Sequence, residues 1–330
     1  MSLIVGSIRV VQTLLEHGAT PRAVISVELI PLRVEFRTAL EAACYYARVD
    51  AVDVLAESVR TSEGAHAVRP FINQQSGRGR TALMRASIAC ATSCAARLLE
   101  LRALPDLVDR DGMTALLFAC SLQNPMAANN RLVSLLIAAD ADPDKPHRET
   151  GVTALMFAAG NGHVLAVTEL IRSGANIHHV ANCESALLWA TRTPDAKVVS
   201  KLMLAGARHD VCDAEGRNGL HLAAQYGCHE VLNALLAQPD EQRASVNLKS
   251  ADGHTPLMLA VRHGWWKCVR ALVSAKDTDL EQQDARGQTA LDMSHLIDDL
   301  DCAKEIEREL NERALEADRE ASSPHGSAEM

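Results

Sequence analysis

The sequence has few aromatic residues and contains no long hydrophobic or strongly basic segment. Aromatic residues make up 3% of the 330 residues, whereas alanine occurs 52 times. This bias favours closely packed helices over a β-sandwich or a platform for stacking bases. No apolar run reaches the roughly 18–20 residues that a membrane-spanning helix needs. No run of Lys or Arg supplies the positive field that nucleic acids or anionic lipids require, so the composition predicts neither nucleic-acid binding nor membrane insertion.

Acidic charge is concentrated at the C-terminus. The net charge is −9, and residues 298–330 hold 11 acidic and 4 basic side chains, so the rest of the chain is nearly neutral. Small and polar residues predominate in the last part of this stretch, residues 321–330. We therefore expect residues 313–330 to form an acidic, disordered tail.

The cysteines and the N-terminal segment indicate the compartment. Nine cysteines are scattered over the whole chain, and an odd, dispersed set does not suit a disulfide framework. The mildly apolar start, residues 2–15, contains Arg9 and lacks a small-residue cleavage site for secretion. The sequence therefore predicts a protein of a reducing compartment, cytoplasmic or nuclear, that is not secreted.

A four-residue pattern, which we call the tetrad, recurs along the chain. It consists of a hydroxyl or amide residue, a small residue, Leu and a fourth residue, and Ala follows two or three positions later. Eight copies begin at Thr38, Thr81, Thr114, Thr153, Ser185, Asn218, Thr255 and Thr289. Their spacings are 43, 33, 39, 32, 33, 37 and 34 residues, so a base period near 33 underlies most of the sequence.

This period and the form TPLHxA resemble the ankyrin repeat, a β-turn followed by two antiparallel helices. The best match is the stretch 151–176, GVTALMFAAGNGHVLAVTELIRSGAN. It contains the turn glycine, the tetrad, the Ala pair, the Gly-His between the helices and the closing Gly-Ala. The resemblance covers nearly the whole chain.

Local chemistry supports the same interpretation of each repeat. Thr, Ser or Asn at all eight tetrad starts predicts an N-cap, whose side-chain oxygen accepts from a free N–H of the first turn. Acidic residues such as Asp109, Asp213 and Asp284 open the turns before the helices. The glycines that precede the tetrads are expected to have positive φ, and these are Gly79, Gly112, Gly151, Gly216, Gly253 and Gly287.

The predicted fold class is all-α: an α-solenoid of about eight stacked ankyrin-like helix-turn-helix repeats, with short β-turn or hairpin loops. Residues 38–312 form the array, and residues 1–37 hold a partial N-terminal repeat and a degenerate linker. The half repeat, residues 6–19, is either an atypical cap or the remnant of a longer protein. Extra residues near 61–73, 124–130 and 239–243 are expected to form surface loops.

Residues that could carry catalysis fall mainly on structural positions of the repeat. Cys94, Cys268 and Cys302 occupy a core slot of the second helix, and Cys44 and Cys120 replace helix alanines. His221, at the fourth tetrad position, matches the imidazole that braces the turn in the ankyrin family, and His163 lies between the two helices. No phosphate-binding loop, nucleophile elbow or metal-binding helix motif is present. We expect no catalytic residues, no metal and no cofactor.

Resemblance to ankyrin repeats implies protein binding through a concave face and the hairpin tips. The exposed positions seven and eight residues after the tetrad start include all three tyrosines of the protein, and tyrosine and arginine are enriched at binding hot spots. Candidate contacts on these grounds are Tyr45, Tyr46, Arg192, Gln225, Tyr226, Arg262 and His263. The turn residues Arg110 and Asp111, four and three positions before the tetrad start at Thr114, are further candidates that add charges at the rim.

The three tryptophans occupy different positions of the repeat. Trp189 occupies a core slot, Trp265 is expected to pack into the turn between helices, and Trp266 is a second candidate contact. The sequence therefore predicts a monomeric, non-catalytic binding module that acts as a scaffold, adaptor or stoichiometric regulator. The alternative is an ankyrin segment of a larger enzyme or membrane protein.

Overall fold

The computed structural model describes residues 24–29, 34–122, 127–238, 245–297 and 299–322, with side chains from residues 38–122, 130–238, 245–297 and 299–316. The chain divides between Ala181 and Asn182 into two compact units. Each unit is a stack of helix-turn-helix repeats, and the described residues form 17 α-helices. The predicted helical repeat fold is confirmed.

Unit 1 contains four repeats in two layers of helices. Its helices are α1 (Ala39–Tyr45), α2 (Val49–Glu63), α3 (Val68–Ile72), α4 (Ala82–Ile88), α5 (Thr92–Glu100), α6 (Ala115–Ser121), α7 (Ala127–Ala138), α8 (Ala154–Gly160) and α9 (Val164–Arg172). The first helices of the repeats, α1, α4, α6 and α8, pack side by side in sequence order, and the second helices α2, α5, α7 and α9 do the same. A short strand, β3 (Val180–Ala181), ends the unit.

Unit 2 repeats this arrangement. After strand β4 (Glu184–Ser185) come α10 (Ala186–Ala190), α11 (Ala196–Leu204), α12 (Gly219–Gln225), α13 (His229–Leu236), α14 (Pro256–Arg262), α15 (Trp266–Val273), α16 (Ala290–Leu296) and α17 (Leu300–Ser322). The first helices α10, α12, α14 and α16 form one layer, and α11, α13, α15 and α17 form the other, which we call the outer layer.

Seven of the eight predicted N-caps form. The side chains of Thr38, Thr81, Thr114, Ser185, Asn218, Thr255 and Thr289 each accept from the backbone N–H three residues ahead, at 3.1–3.3 Å. Thr153 occupies the N-cap position of α8, but its side chain makes no capping hydrogen bond. The prediction for Thr153 is therefore wrong, although the position begins the helix as expected.

The turns before the helices follow the predicted chemistry. One carboxylate oxygen of Asp213 accepts from Glu215 N and Arg217 N at 3.1 and 2.8 Å, and Asp284 closes the same turn before α16. All six predicted turn glycines have positive φ. At Gly112 a Cβ would also overlap the side chain of Arg148, so this turn requires glycine on two grounds.

The predicted surface loop at 61–73 is instead mostly helical and contributes part of its residues to the core. Helix α2 continues to Glu63, and a 3₁₀ turn (Ala65–Ala67) leads into α3. Val68, Phe71 and Ile72 are 6%, 1% and 1% exposed, because their spacing places three apolar side chains on one face of the short helix. Of the predicted loop at 124–130, residues from Ala127 onwards belong to α7, and residues 123–126 lie outside the described part of the chain. The predicted loop at 239–243 also lies outside it, within residues 239–244.

The two ends also differ from the sequence interpretation. The expected linker contains an antiparallel pair, β1 (Val24–Leu29) and β2 (Val34–Thr38), with Val27 opposite Phe36, Leu29 opposite Val34, and an irregularity between Val24 and Val27. The predicted half repeat at residues 6–19 lies outside the described residues.

At the other end, α17 runs to Ser322, so the disordered tail does not begin at residue 313. Arg313 holds the helix to the fold by donating to three backbone carbonyls of the preceding repeat. Residues 323–330 lie outside the described chain.

Candidate protein-interaction surfaces

The C-terminal ends of two neighbouring first helices in unit 2 present four of the candidate residues. Gln225 and Tyr226 end α12, Arg262 and His263 end α14, and these two helices pack against each other. Tyr226 is 50% exposed, and Arg262 and His263 are exposed beside it. We call these four residues the first-helix surface.

Gln225 is held in place by the turn that precedes α12. Its Oε1 accepts from Arg217 Nη1 at 3.0 Å, while Arg217 also binds the buried carboxylate of Asp213 at 2.8 Å and that of Glu215 at 3.0 Å. The amide of Gln225 is therefore oriented before any partner arrives, which lowers the entropy lost when it is used in binding.

Arg192 lies in the same unit but is already paired. Its guanidinium forms a two-pronged ion pair with the carboxylate of Glu184, and both side chains are largely shielded from solvent. A guanidinium engaged in this way has few donors left for a partner. Arg192 is thus a weaker contact candidate than its position in the repeat indicates.

Four candidates lie in unit 1. Tyr45 and Tyr46, at the end of α1, are half-buried and meet edge to face, with ring centroids 5.4 Å apart. Burial is the main cause that raises the pKa of Tyr46. Arg110 and Asp111 are exposed at the tip of the turn that precedes α6. There the backbone N–H of Arg110 donates to Arg78 O at 2.9 Å. The tip residues are accessible, whereas the tyrosines are partly used in packing.

The tryptophan pair serves two different purposes. Trp265 lies over Gly227 and donates its indole N–H to Gln225 O at 3.1 Å, so it packs into the interhelical turn as predicted and supports the backbone beneath Tyr226. Trp266 is 41% exposed and lines grooves of the outer layer rather than the first-helix surface. Trp189 is partly buried in α10.

The most exposed large apolar side chain of the described residues was missed by sequence reasoning. Leu204, at the end of α11, is 85% exposed and lines two grooves of about 630 and 800 Å³. The signal was present in the repeat register: the equivalent positions in four other repeats carry Glu57, Glu100, Arg172 and Ser274. A fifth repeat carries Ala237 at this position, so Leu204 is a large aliphatic side chain at a position that holds polar, charged or small residues in these five repeats.

The cysteines and histidines singled out by the sequence are structural. Cys44, Cys94, Cys120, Cys268 and Cys302 are all 0% exposed, as predicted. Burial raises the pKa of Cys120, Cys268 and Cys302 to about 12, so these thiols stay protonated at neutral pH and are poor nucleophiles.

His221 braces a turn, as the resemblance implies. Its Nε2 donates to His254 O at 3.1 Å, and its Nδ1 accepts from Asn218 N at 3.2 Å. Burial lowers its pKa to about 4. His163 is 2% exposed, and burial lowers its pKa too. Both imidazoles are therefore neutral structural groups near pH 7.

A buried ion pair lies between the first two repeats of unit 1. Glu41 and Arg85 are 1% and 5% exposed, and Arg85 Nε is 3.5 Å from Glu41 Oε2. Desolvation is the main cause that lowers the pKa of Arg85.

Within the described residues, no group of three or more His, Cys, Asp or Glu side chains is arranged to hold a metal ion. None of the described helices is both long and apolar enough to cross a membrane.

Comparison with known proteins identifies the family. A family profile described as ankyrin repeats in three copies matches residues 125–213, 155–244, 187–284 and 220–307, which together cover more than half of the chain. The chain belongs to the ankyrin repeat family. Ankyrin repeats are protein-interaction modules, so the chain has the architecture of one.

Three relatives illustrate how widely these repeats are used. The chain is 35% identical over 129 residues to the Danio rerio protein named "Putative palmitoyltransferase ZDHHC13". It is 30% identical over 165 residues to the B-cell lymphoma 3 protein homolog of Mus musculus and 32% over 147 residues to the E3 ubiquitin-protein ligase KEG of Arabidopsis thaliana. The matches cover 38%, 49% and 43% of this chain but only 19%, 36% and 9% of those relatives.

Proposed function

We propose that this chain is a non-catalytic protein-binding module that acts as a scaffold, adaptor or stoichiometric regulator, as a monomer in the cytoplasm or nucleus. The first-helix surface is the proposed main contact, with Tyr45, Tyr46 and the Arg110–Asp111 tip as further contacts. One observation carries the proposal: Tyr226 is 50% exposed beside the exposed Arg262 and His263 of the neighbouring repeat.

The chemistry of this surface suits protein recognition. Tyr226 offers a large, nearly rigid contact area with a polar tip, and Arg262 offers a planar group of donors. Such side chains supply most of the free energy at protein interfaces when a partner excludes water from them. The underlying backbone is fixed by Trp265 and Arg217, so binding orders few additional groups.

Affinity capture from a lysate of the source cells, using the full chain, tests the proposal. The site variant is Tyr226→Ala/Arg262→Ala/His263→Ala. The control is Lys197→Ala/Lys201→Ala/Leu204→Ala, which changes three exposed residues of the outer layer. We expect the wild type and the control to retain a protein that the site variant loses at equal melting temperature. A partner retained by all three would place the contact elsewhere.

The non-catalytic role has its own test. Once the captured partner is purified, its activity is measured against increasing amounts of the full chain. We expect the effect to saturate at one chain per partner, as for a stoichiometric regulator. Modification of the partner by a small fraction of an equivalent of the chain would show catalysis and contradict the proposal.

A second candidate function is an ankyrin segment that presents substrates to a catalytic domain of a larger protein. Two relatives have the names of enzymes, and the chain covers only 19% and 9% of them. Immunoblotting of source cells with an antibody against unit 2 tests this candidate. A native band well above 35.6 kDa would favour it, whereas a band at that mass would favour the free module.

A further inference from the structure

The outer layer of unit 2 carries two neighbouring grooves that share Trp266. The groove between α13 and α15 has a volume of about 600 Å³, and the groove between α15 and α17 has a volume of about 450 Å³. The indole of Trp266 borders both and is 41% exposed. We call these two cavities the outer grooves.

Part of the lining of the first outer groove is apolar. Leu236, Ala237, Ala271 and Ala275 line it together with Trp266. Small side chains beside a large aromatic ring leave a depression that accepts one aliphatic or aromatic side chain. At the position of Trp266 the other second helices carry Val49, Thr92, Val164, Ala196, His229 and Leu300, so the indole is particular to this repeat.

Positive charge surrounds the second outer groove. Arg270 Cζ is 5.0 Å from the centre of the Trp266 ring, and Lys267 Nζ is 5.8 Å from it. Lys304 and Arg308 extend from α17 into the same groove. Among the described residues, no carboxylate lies within ion-pair distance of the ammonium groups of Lys267 and Lys304.

Two carboxylates line the second outer groove, and one of them is already neutralised. Glu305 is paired on both oxygens, with Arg270 Nη2 at 2.6 Å and Arg308 Nη2 at 2.6 Å. Asp301 is the other carboxylate that lines the groove. Glu312 Oε1 also lies 3.8 Å from Arg308 Nε, so both arginines are engaged in ion pairs. Lys267 and Lys304 are the exposed positive charges that a partner can reach.

We propose that the outer grooves bind a segment of a protein partner in which an apolar side chain is flanked by acidic residues. The apolar side chain enters the groove beside Trp266, and the acidic residues pair with Lys267 and Lys304. Complementary charge increases the rate of encounter and excludes basic segments. This surface is separate from the first-helix surface, so the proposal does not depend on the proposed main contact.

A peptide explains the surface better than a nucleic acid or an anionic membrane does. Those ligands carry uniform negative charge over a long distance, and the exposed side of α17 also carries Glu307 and Glu312, which would repel them. A short acidic segment can follow the cationic positions and avoid these carboxylates. The mixed charge of the region therefore favours a protein segment.

Selection from a random 12-residue phage-displayed peptide library on the full chain tests the proposal. We expect the selected peptides to combine several Asp or Glu with one large apolar residue. Fluorescein-labelled copies of these peptides are then titrated by fluorescence anisotropy. The Trp266→Ala variant and the Lys267→Glu/Lys304→Glu variant are each expected to weaken binding by about tenfold, equivalent to about 1.4 kcal/mol. Binding should also weaken with salt.

Three control variants define the specificity. Leu204→Ala removes an exposed apolar side chain outside the outer grooves, and Lys276→Glu reverses an exposed charge of the same unit; both should leave the affinity unchanged. The first-helix variant Tyr226→Ala/Arg262→Ala/His263→Ala should bind the peptides normally. Melting temperatures establish that every variant is folded, and the charge variants test the proposal even if Trp266→Ala is unstable.

Several results would overturn the proposal. They are a selection that yields no binder, selected peptides without acidic residues, and binding that is insensitive to both outer-groove variants. Vesicles of phosphatidylserine and phosphatidylcholine and a labelled oligothymidylate are measured in parallel. If either binds more tightly than the peptides and loses affinity with Lys267→Glu/Lys304→Glu, the surface recognises that anion and the peptide assignment is wrong.

Discussion

The indole N–H of Trp265 donates to the backbone carbonyl of Gln225, 3.1 Å away, across the boundary between two repeats. The same ring covers Gly227, where an added Cβ would lie 2.6 Å from the indole. Trp265 therefore holds the end of α12, which carries Tyr226, in place. This contact joins residues of two repeats, so it cannot form within a single repeat.

The first prediction concerns Gly227→Ala. An alanine at φ +71° costs about 1–2 kcal/mol of backbone strain, and displacing the indole adds about 1–3 kcal/mol as in other overpacked sites. We expect the free energy of unfolding, measured by urea denaturation, to fall by about 2–5 kcal/mol from the sum of these two effects.

Gly264→Ala is the matched control for this prediction. Gly264 has a similar φ of +69°, and an added Cβ would lie no closer than 3.4 Å to a neighbouring atom, Asp299 Oδ2. We expect this change to cost only the backbone term. In a Trp265→Ala background the cost of Gly227→Ala should fall to the same level, and an unchanged cost would show that the indole is not responsible.

The second prediction concerns the stability of the chain in acid. The pKa of His221 is about 4, below its ordinary 6.5, so the unfolded chain binds more protons between these pH values. Stability is therefore fully present above about pH 6.5 and falls as the pH decreases towards 4. A shift of this size is equivalent to at most about 3 kcal/mol. Urea titrations at pH 7, 6, 5 and 4.5 measure the slope.

His221→Gln separates this histidine from other titrating groups. Glutamine retains hydrogen-bonding atoms but does not titrate in this range, so the variant should be less stable at pH 7 and show a weaker dependence on pH. The lowered pKa of His163 acts in the same direction and should leave a residual slope. An identical slope in wild type and variant would contradict the assignment to His221.

The third prediction concerns the buried ion pair of unit 1. Arg85→Ala leaves the carboxylate of Glu41 buried without its cation, and such changes cost about 3–5 kcal/mol. The double variant Glu41→Met/Arg85→Met removes both charges and retains volume, so we expect it to be more stable than Arg85→Ala. Urea denaturation of both variants measures the difference. A double variant less stable than Arg85→Ala would show that the charges themselves stabilise the fold.

Features repeated along the chain could be predicted from the sequence. The cap at Thr255, the glycine turn at Gly253 and the burial of Cys268 depend on local hydrogen bonds and helix register, which recur in every repeat. Thr153 shows the limit of this reasoning. The same residue type at the same position makes no capping bond, because side-chain orientation depends on the surrounding packing as well as on the residue type.

Features that depart from the repeat could not be predicted in the same way. Helix α3 occupies an insertion, and its contacts depend on which of its faces meets the core. The half-burial of Tyr45 and Tyr46 depends on their mutual packing, whereas Tyr226 at the equivalent position remains exposed. The outer grooves share Trp266, whose indole is particular to its repeat, and this becomes visible only when the repeats are compared position by position.

The fourth prediction distinguishes these tyrosines. The sequence predicts little loss of stability when Tyr45, Tyr46 or Tyr226 is changed to Ala. From the structure we expect Tyr226→Ala to stay within about 0.5 kcal/mol of wild type, whereas Tyr46→Ala should cost at least about 1 kcal/mol, since it removes a half-buried aromatic contact. Tyr46→Phe retains the ring and serves as the control in thermal unfolding. Equal losses for Tyr46→Ala and Tyr226→Ala would contradict the structural distinction.

The last prediction concerns Arg313 and the limit of the folded array. Its guanidinium donates to Thr278 O and Val273 O at 2.7 Å and to Ala275 O at 3.1 Å, which joins α17 to the end of α15. Hydrogen bonds from a charged donor contribute about 1.5–3 kcal/mol, so Arg313→Ala should destabilise unit 2 by about that amount. Arg313→Lys should recover only part of the loss, because an ammonium lacks the planar fork. Arg172→Ala, at an exposed site, is the control in urea denaturation. If Arg313→Ala matches that control, the array ends before residue 313, as the sequence alone predicts.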